Sequence, residues 1–225
     1  MKAEHVRQWM CAENPAAVLR AHHAYGTLAT YLPEVEALWG VPQPHEHHPE
    51  IDAGEHTVLV LEQAAVLSEH PAVRWAALVH DLGKGLTAEA DWPRHPGHEE
   101  RGMAPALALA ERLGVPADWA WLGAQTSRWH LHVHRAKELS AKGLVRFFES
   151  SDFSDKPALF QAFLLACEAD ARGRKGLERR AYPQRAFMHR MFEVFSACPN
   201  EPDEAAHETR ISWMKAELQT AAHRS

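Results

Sequence analysis

The chain has 225 residues, 46% of them hydrophobic and 24% charged, which is enough apolar material for one large core or two smaller ones. Its 24 Lys and Arg against 30 Asp and Glu leave a net charge of −6, which argues against binding through a broad basic surface but allows a local basic site. Cys11, Cys167 and Cys198 lie far apart with no CxxC spacing, and no apolar run nears the roughly 20 residues a bilayer needs, so neither a disulfide framework, a cysteine zinc site nor a membrane span is indicated and the cytoplasm is the expected location.

Strict period-two alternation is hard to find, whereas apolar residues recur at i, i+3/i+4 and i+7 from end to end, which predicts an all-α fold. In chain order, helices are expected over residues 3–12, 15–31, 53–69, 71–83, 98–113, 116–134, 138–149, 156–171, 182–196 and 203–222. Segments rich in Pro and Gly, among them GVPQPHEHHPE, GKGLTAEADWPRHPG and RGRKG, punctuate them. In the last helix Ile211, Met214 and Leu218 share a face that would pack on the body or on a second copy of the chain, a candidate homodimer contact.

With 17 histidines in the chain, position has to decide which of them matter. In the helix from residue 53, the stripe Val60, Ala64 and Leu67 continues at its N-terminal end to His56. In RWAALVHDLGKG the helix has no polar face until it ends on His80 and Asp81, before Gly83 and Gly85. In PALFQAFLLACEADARGR the stripe Leu159, Phe163 and Ala166 ends on Asp170. Burying a carboxylate without a partner costs several kcal/mol, so such an acid must be paired, hydrogen-bonded or metal-bound. Taken singly, these residues are explained as a helix-terminal hydrogen-bond pair, a solvent-facing acid, and a cap or core imidazole. Three core-facing stripes ending alike favour convergence of His56, His80, Asp81 and Asp170 on a cation. With no thiolate in the set, the expected cofactor is a divalent metal ion, Mn, Ni, Co, Fe, Mg or Zn, in an open site.

Further candidates surround this set. His98 and His130 are candidates for a second metal or a phosphate contact, while His132 and His134 are assigned to the surface. Lys84 is either a helix C-terminal lysine favoured by the dipole or a phosphate contact. RGRKGLERR places five basic residues in nine directly after Asp170; Arg172 and Arg174 are the candidates there for holding a nucleotide phosphate. Arg94 and Trp92 would line the substrate mouth, core packing being the alternative for Trp92. The tract HEHHPE reads as a connector, with His48 or Asp52 as support.

The pattern H…HD…D with HDLGKG resembles the HD-domain superfamily of metal-dependent phosphohydrolases, all-α proteins that bind one or two divalent ions through that set. ENPAAVLRAHHAYGTLATYLPEVEALWGVPQP, HHPEIDAGEHTVLVLEQA, WPRHPGHEERG and CEADARGR resemble, with HDLGKG and over residues 13–195, the C-terminal half of the proteobacterial multifunctional CCA family of tRNA nucleotidyltransferases. The resemblance implies that His56, His80, Asp81 and Asp170 hold the metal and that Asp81 and Lys84 are catalytic. It implies 2′,3′-cyclic phosphodiesterase, 2′-nucleotidase or phosphatase activity on nucleotides or RNA ends by a metal-activated water, with tRNA as a further candidate partner. It divides the chain into a neck-like helical segment over 1–50, a phosphohydrolase domain over 51–197 and a helical extension over 198–225. The chain has no Gly-Gly dipeptide of the kind found in that family's nucleotide-adding head, so CCA addition by this polypeptide alone is not expected. The rival reading is a non-catalytic HD module, detached from a nucleotidyltransferase, that binds tRNA or a partner.

Overall fold

The computed structural model describes residues 3–46, 49–50, 52–198 and 204–222, and among them it is all-α, with one isolated antiparallel bridge between Pro42 and Asp52. No helix among the described residues is long and apolar enough to cross a membrane. The chain forms two compact units, each assembled from separated stretches of sequence: residues 1–131 with 162–182, and residues 132–161 with 183–225.

In the first unit, α1 (Ala3–Met10) precedes α2 (Pro15–Ala24), whose start is set by Asn14 accepting from the Ala17 N–H and by Pro15 in the first turn. The single helix expected over 15–31 is broken instead. After Tyr25 the backbone enters the left-handed region at Gly26 (φ +67°), and two one-turn helices follow, α3 (Leu28–Tyr31) and α4 (Pro33–Glu36). Asp52 caps α5 (Ala53–Leu67) by accepting from Glu55 N, and its other oxygen takes the N–H of Gly40, which fixes the chain just before His56.

The next helix, α6 (Pro71–Val79), packs on both α1 and α5. Every residue from Ala72 to Val79 is buried, including Arg74, whose guanidinium donates to the carbonyls of Ser68, Met10 and Ala12 and so ties the end of α1 to α6. It ends four residues earlier than the expected helix over 71–83. His80 is the last residue with helical geometry, and the chain then tightens into a 3₁₀ turn over Leu82–Leu86 that packs on α7 (His98–Leu113). Gly83 permits that packing: a Cβ there would lie 1.9 Å from the carbonyl oxygen of His98. Residues of α8 (Ala117–His134) up to Leu131 and residues of α10 (Pro157–Arg172) from Ala162 complete the unit.

In the second unit, α9 (Ala141–Ser151), capped by Ser140, packs against α11 (Pro183–Ala197) and α12 (Glu204–Ala222). Phe147, Phe148, Phe153, Phe160, Phe192 and Phe195 form its aromatic core, with ring centroids 4.4–6.2 Å apart in the paired contacts. Of the expected apolar face of α12, Ile211 and Met214 are buried and Leu218 is half-buried.

Candidate metal centre

Five elements of the first unit deliver side chains to one buried place: His56 from α5, His80 and Asp81 from the end of α6, His98 from the first turn of α7, His130 from α8 and Asp170 from α10. None is more than 6% exposed. The early end of α6 contributes directly, because Asp81 leaves the helix (φ −113°) and stands at the turn that meets α7.

Each of the four imidazoles has a backbone carbonyl at its Nδ1. The Nδ1–H of His56 donates to the Gly173 carbonyl at 3.0 Å, that of His80 to Ala77 at 2.8 Å and that of His98 to His95 at 2.9 Å. His130 shares its Nδ1–H between Thr126 and Ser127, at 3.0 and 2.9 Å. With the proton on Nδ1, a neutral imidazole presents a lone pair at Nε2, and all four Nε2 atoms face carboxylates. His56 Nε2 lies 3.1 Å from Asp170 Oδ1 and 3.8 Å from Asp81 Oδ2; His80 Nε2 lies 3.0 and 3.9 Å from Asp81 Oδ2 and Asp170 Oδ1. On the other side of Asp81, Oδ1 lies 3.3 Å from His98 Nε2 and 3.7 Å from His130 Nε2.

Lone pairs facing carboxylate oxygens repel unless a proton or a metal cation stands between them. The Nε2 atoms of His80 and His98 and Oδ1 of Asp81 are buried with no hydrogen-bond partner, which suits them to a cation. The donors fall into two groups whose ligand atoms lie within 4.8 Å of one another, His56 with His80 and Asp170, and Asp81 with His98 and His130. Nitrogen and carboxylate donors without thiolate, each ring oriented by a carbonyl, fit a divalent transition metal ion.

Burial opposes the charge of Asp81, yet His80 and Lys84 beside it hold its carboxyl well below the usual range. Burial pulls the His80 imidazole down, but the carboxylates of Asp81 and Asp170 outweigh it and raise its affinity for a proton. His130 is pushed down to about 3 by burial, against the pull of Asp81 and Asp170, so it stays neutral and its Nε2 remains a donor. Lys84 Nζ lies 2.6 Å from Asp81 Oδ2 and also donates to Gln43 Oε1.

Beside the cluster opens a cleft of about 110 Å³, lined by Pro44, Asp81, Lys84, Pro93, Arg94, His95, His98, His130, Leu131, Asp170 and Arg174. Arg174 reaches to 3.6 Å from Asp170 Oδ1, and Arg94 is exposed at the rim. Arg172 is not brought there: its guanidinium lies 2.6 Å from Glu168 Oε1 and donates to the Arg180 carbonyl. Trp92 is half-buried and is not a lining residue, whereas its neighbour Pro93 is. His132 is exposed, His134 is half-buried, and His48 lies outside the described residues.

Several contributors escape sequence reasoning. His95 lines the cleft in a left-handed conformation (φ 50°), donates from Nε2 to the Pro42 carbonyl at 2.7 Å and turns its own carbonyl onto His98. The two prolines of PRHPGH were its sole signal. Gly173 supplies the carbonyl for His56 because it lacks a side chain; a Cβ there would fall 2.5–2.7 Å from Val60 on α5. Gly173→Ala is therefore expected to push the 173–180 loop off α5 and withdraw that carbonyl. Mn²⁺ affinity should fall about tenfold, with a stability loss of about 1–3 kcal/mol, read by titration calorimetry and thermal denaturation.

A helical domain that gathers imidazoles and carboxylates from five elements into one buried cluster belongs to the class of all-α proteins with an interior ligand set that could hold a divalent metal. More particularly, the chain belongs to the HD-domain family, whose model, described as "HD domain", matches residues 53–171. It is similar to proteins named "Multifunctional CCA protein". The protein of Pseudomonas fluorescens is 48% identical over 176 residues, 78% of this chain and 43% of that protein. That of Pseudomonas syringae pv. syringae is 47% identical over 191 residues (84% and 47%), and that of Nitrosococcus oceani 50% identical over 183 (81% and 45%). The chain thus spans about half the length of the curated relatives it matches.

Proposed function

We propose that the chain is a metal-dependent phosphohydrolase of the cytoplasm acting on phosphoesters of nucleotides or RNA ends, of the 2′,3′-cyclic phosphodiesterase, 2′-nucleotidase or phosphatase type. The observation that carries this reading is the convergence of four imidazole Nε2 atoms on Asp81 and Asp170, with Asp81, His98, His130 and Asp170 lining a cleft that also contains Lys84, Arg94 and Arg174. Asp81 turns one oxygen toward each ligand group, so His56, His80 and Asp170 on one side and His98 and His130 on the other would hold divalent metal together with it. When bound, divalent metal supplies Lewis acidity toward a phosphoryl oxygen and an acidified water.

The chain's own residues account for the rest. Lys84, held against Asp81 and 7% exposed, can turn its ammonium to a non-bridging oxygen as charge builds in the transition state. Arg174 on the cleft wall offers a planar fork that matches a phosphate, and Arg94 can follow the ester group toward solvent. The kinship with proteins named for CCA supports RNA 3′ ends as the substrate setting.

Hydrolysis of 2′,3′-cyclic AMP and of p-nitrophenyl phosphate, assayed on chelator-treated protein with and without Mn²⁺, Co²⁺ or Ni²⁺, tests the reading. Metal-restored turnover is expected, with Lys84→Met lowering kcat by about a hundredfold. Inactivity with every metal, together with tight tRNA binding, would replace the hydrolase by a binding module.

A further inference from the structure

We infer that Glu50 is a positioning residue for this centre, pairing its carboxylate with His56 so that the imidazole is held, and made a stronger donor, at Nε2. The inference rests on the metal-dependent reading above. Glu50 Oε1 lies 3.0 Å from His56 Nδ1, the same distance as the Gly173 carbonyl, and the side chain of Glu50 is only 4% exposed. One N–H thus stands between a neutral and an anionic acceptor.

A backbone carbonyl is sufficient to orient a ring, as that of Ala77 does for His80. The carboxylate at His56 adds negative charge at Nδ1, which raises electron density at Nε2 and strengthens the bond to a cation there. The converse also holds. A buried carboxylate is costly unless its charge is answered, and a cation on the far side of the ring answers it. The local chain is built to keep Glu50 in place: its carbonyl accepts from Asp52 N at 2.8 Å, and Asp52 in turn caps α5 one turn before His56.

The test compares full-length wild type, Glu50→Ala and Glu50→Gln, stripped of metal and titrated with Mn²⁺. Metal-free melting is recorded alongside, and visible absorption is recorded after loading with Co²⁺. Glu50→Ala is expected to weaken Mn²⁺ binding about 10- to 100-fold. Glu50→Gln, which keeps an acceptor and removes the charge, should weaken it about threefold or more. Both should shift the Co²⁺ bands and leave the metal-free melting temperature nearly unchanged. Wild-type Kd values in the variants, with or without a lower melting temperature, overturn the inference. Should Glu50→Ala fail to fold, Glu50→Gln decides on the same criterion. Wild-type protein that binds no Mn²⁺ would instead bring down the metal-dependent reading itself, a different result from equal binding by all three proteins.

Discussion

Asp81→Asn is expected to abolish Mn²⁺ binding and hydrolysis together, with kcat/KM falling on the order of a thousandfold, the equivalent of several kcal/mol of lost charge stabilisation. Asp81 faces all four imidazoles, at 3.0 to 3.8 Å. Stability is a separate matter. Viewed as a lone buried carboxylate, Asp81 is a burden whose removal would relieve the fold. Its oxygen, however, lies 2.6 Å from the buried ammonium of Lys84. Removing one member of a buried pair leaves the other uncompensated, at a cost of about 3–5 kcal/mol. Asp81→Ala should therefore destabilise the metal-free protein by about that amount, since among the described residues Gln43, a neutral acceptor, is what remains for Lys84. Asp81→Ala with Lys84→Met should recover most of the loss in urea denaturation without recovering metal binding. Equal stability of the single and double variants would show that Lys84 finds compensation elsewhere, and wild-type Mn²⁺ affinity in Asp81→Asn would remove the cluster from consideration as a metal centre.

Two of the residues read from the sequence, His56 and Asp170, share one property: each continues an apolar stripe on a long helix. His56 extends the Val60 and Ala64 face of α5, Asp170 extends the Phe163 and Ala166 face of α10, and a helix with that periodicity leaves little choice about which way its next member points. The long helices were legible for the same reason, α7 (His98–Leu113) over its whole length.

What could not be read depends on contacts between distant segments. His95 and Glu50 lie in connecting chain, where no period constrains a side chain, and each is placed by a partner from another segment, Pro42 and His56 respectively. Arg172 and Arg174 are two residues apart in the same basic run, and composition cannot separate them. Arg172 turns to Glu168 one helical turn back, while Arg174, beyond Gly173, comes to Asp170 and the cleft. The end of α6 failed for a third reason. The run up to Leu82 is apolar enough to continue a helix, but the close approach of Gly83 to His98 on α7 draws the chain into a 3₁₀ turn, and that approach is tertiary.

His98→Ala and His56→Ala should separate the two ligand groups. Asp81 divides its oxygens between them, Oδ2 toward His56 and His80, Oδ1 toward His98 and His130. Loss of His98 strips a nitrogen from the second group and leaves His56, His80 and Asp170 intact. Wild type is expected to retain about two equivalents of Mn²⁺ after gel filtration and His98→Ala about one, a two-ion clamp requiring both groups. His56→Ala removes a donor that lies 3.1 Å from Asp170 and 3.8 Å from Asp81, so it should lower the affinity of the first group and weaken the second through their common carboxylate. Its metal content should therefore fall below that of His98→Ala. Both variants should lose about a hundredfold or more in kcat, because in-line displacement needs the attacking and the leaving oxygen stabilised together. Elemental analysis reads the equivalents directly. Identical metal content in wild type and His98→Ala, with full activity retained, would confine the centre to a single ion held by His56, His80, Asp81 and Asp170, and would return His98 and His130 to the walls of the cleft.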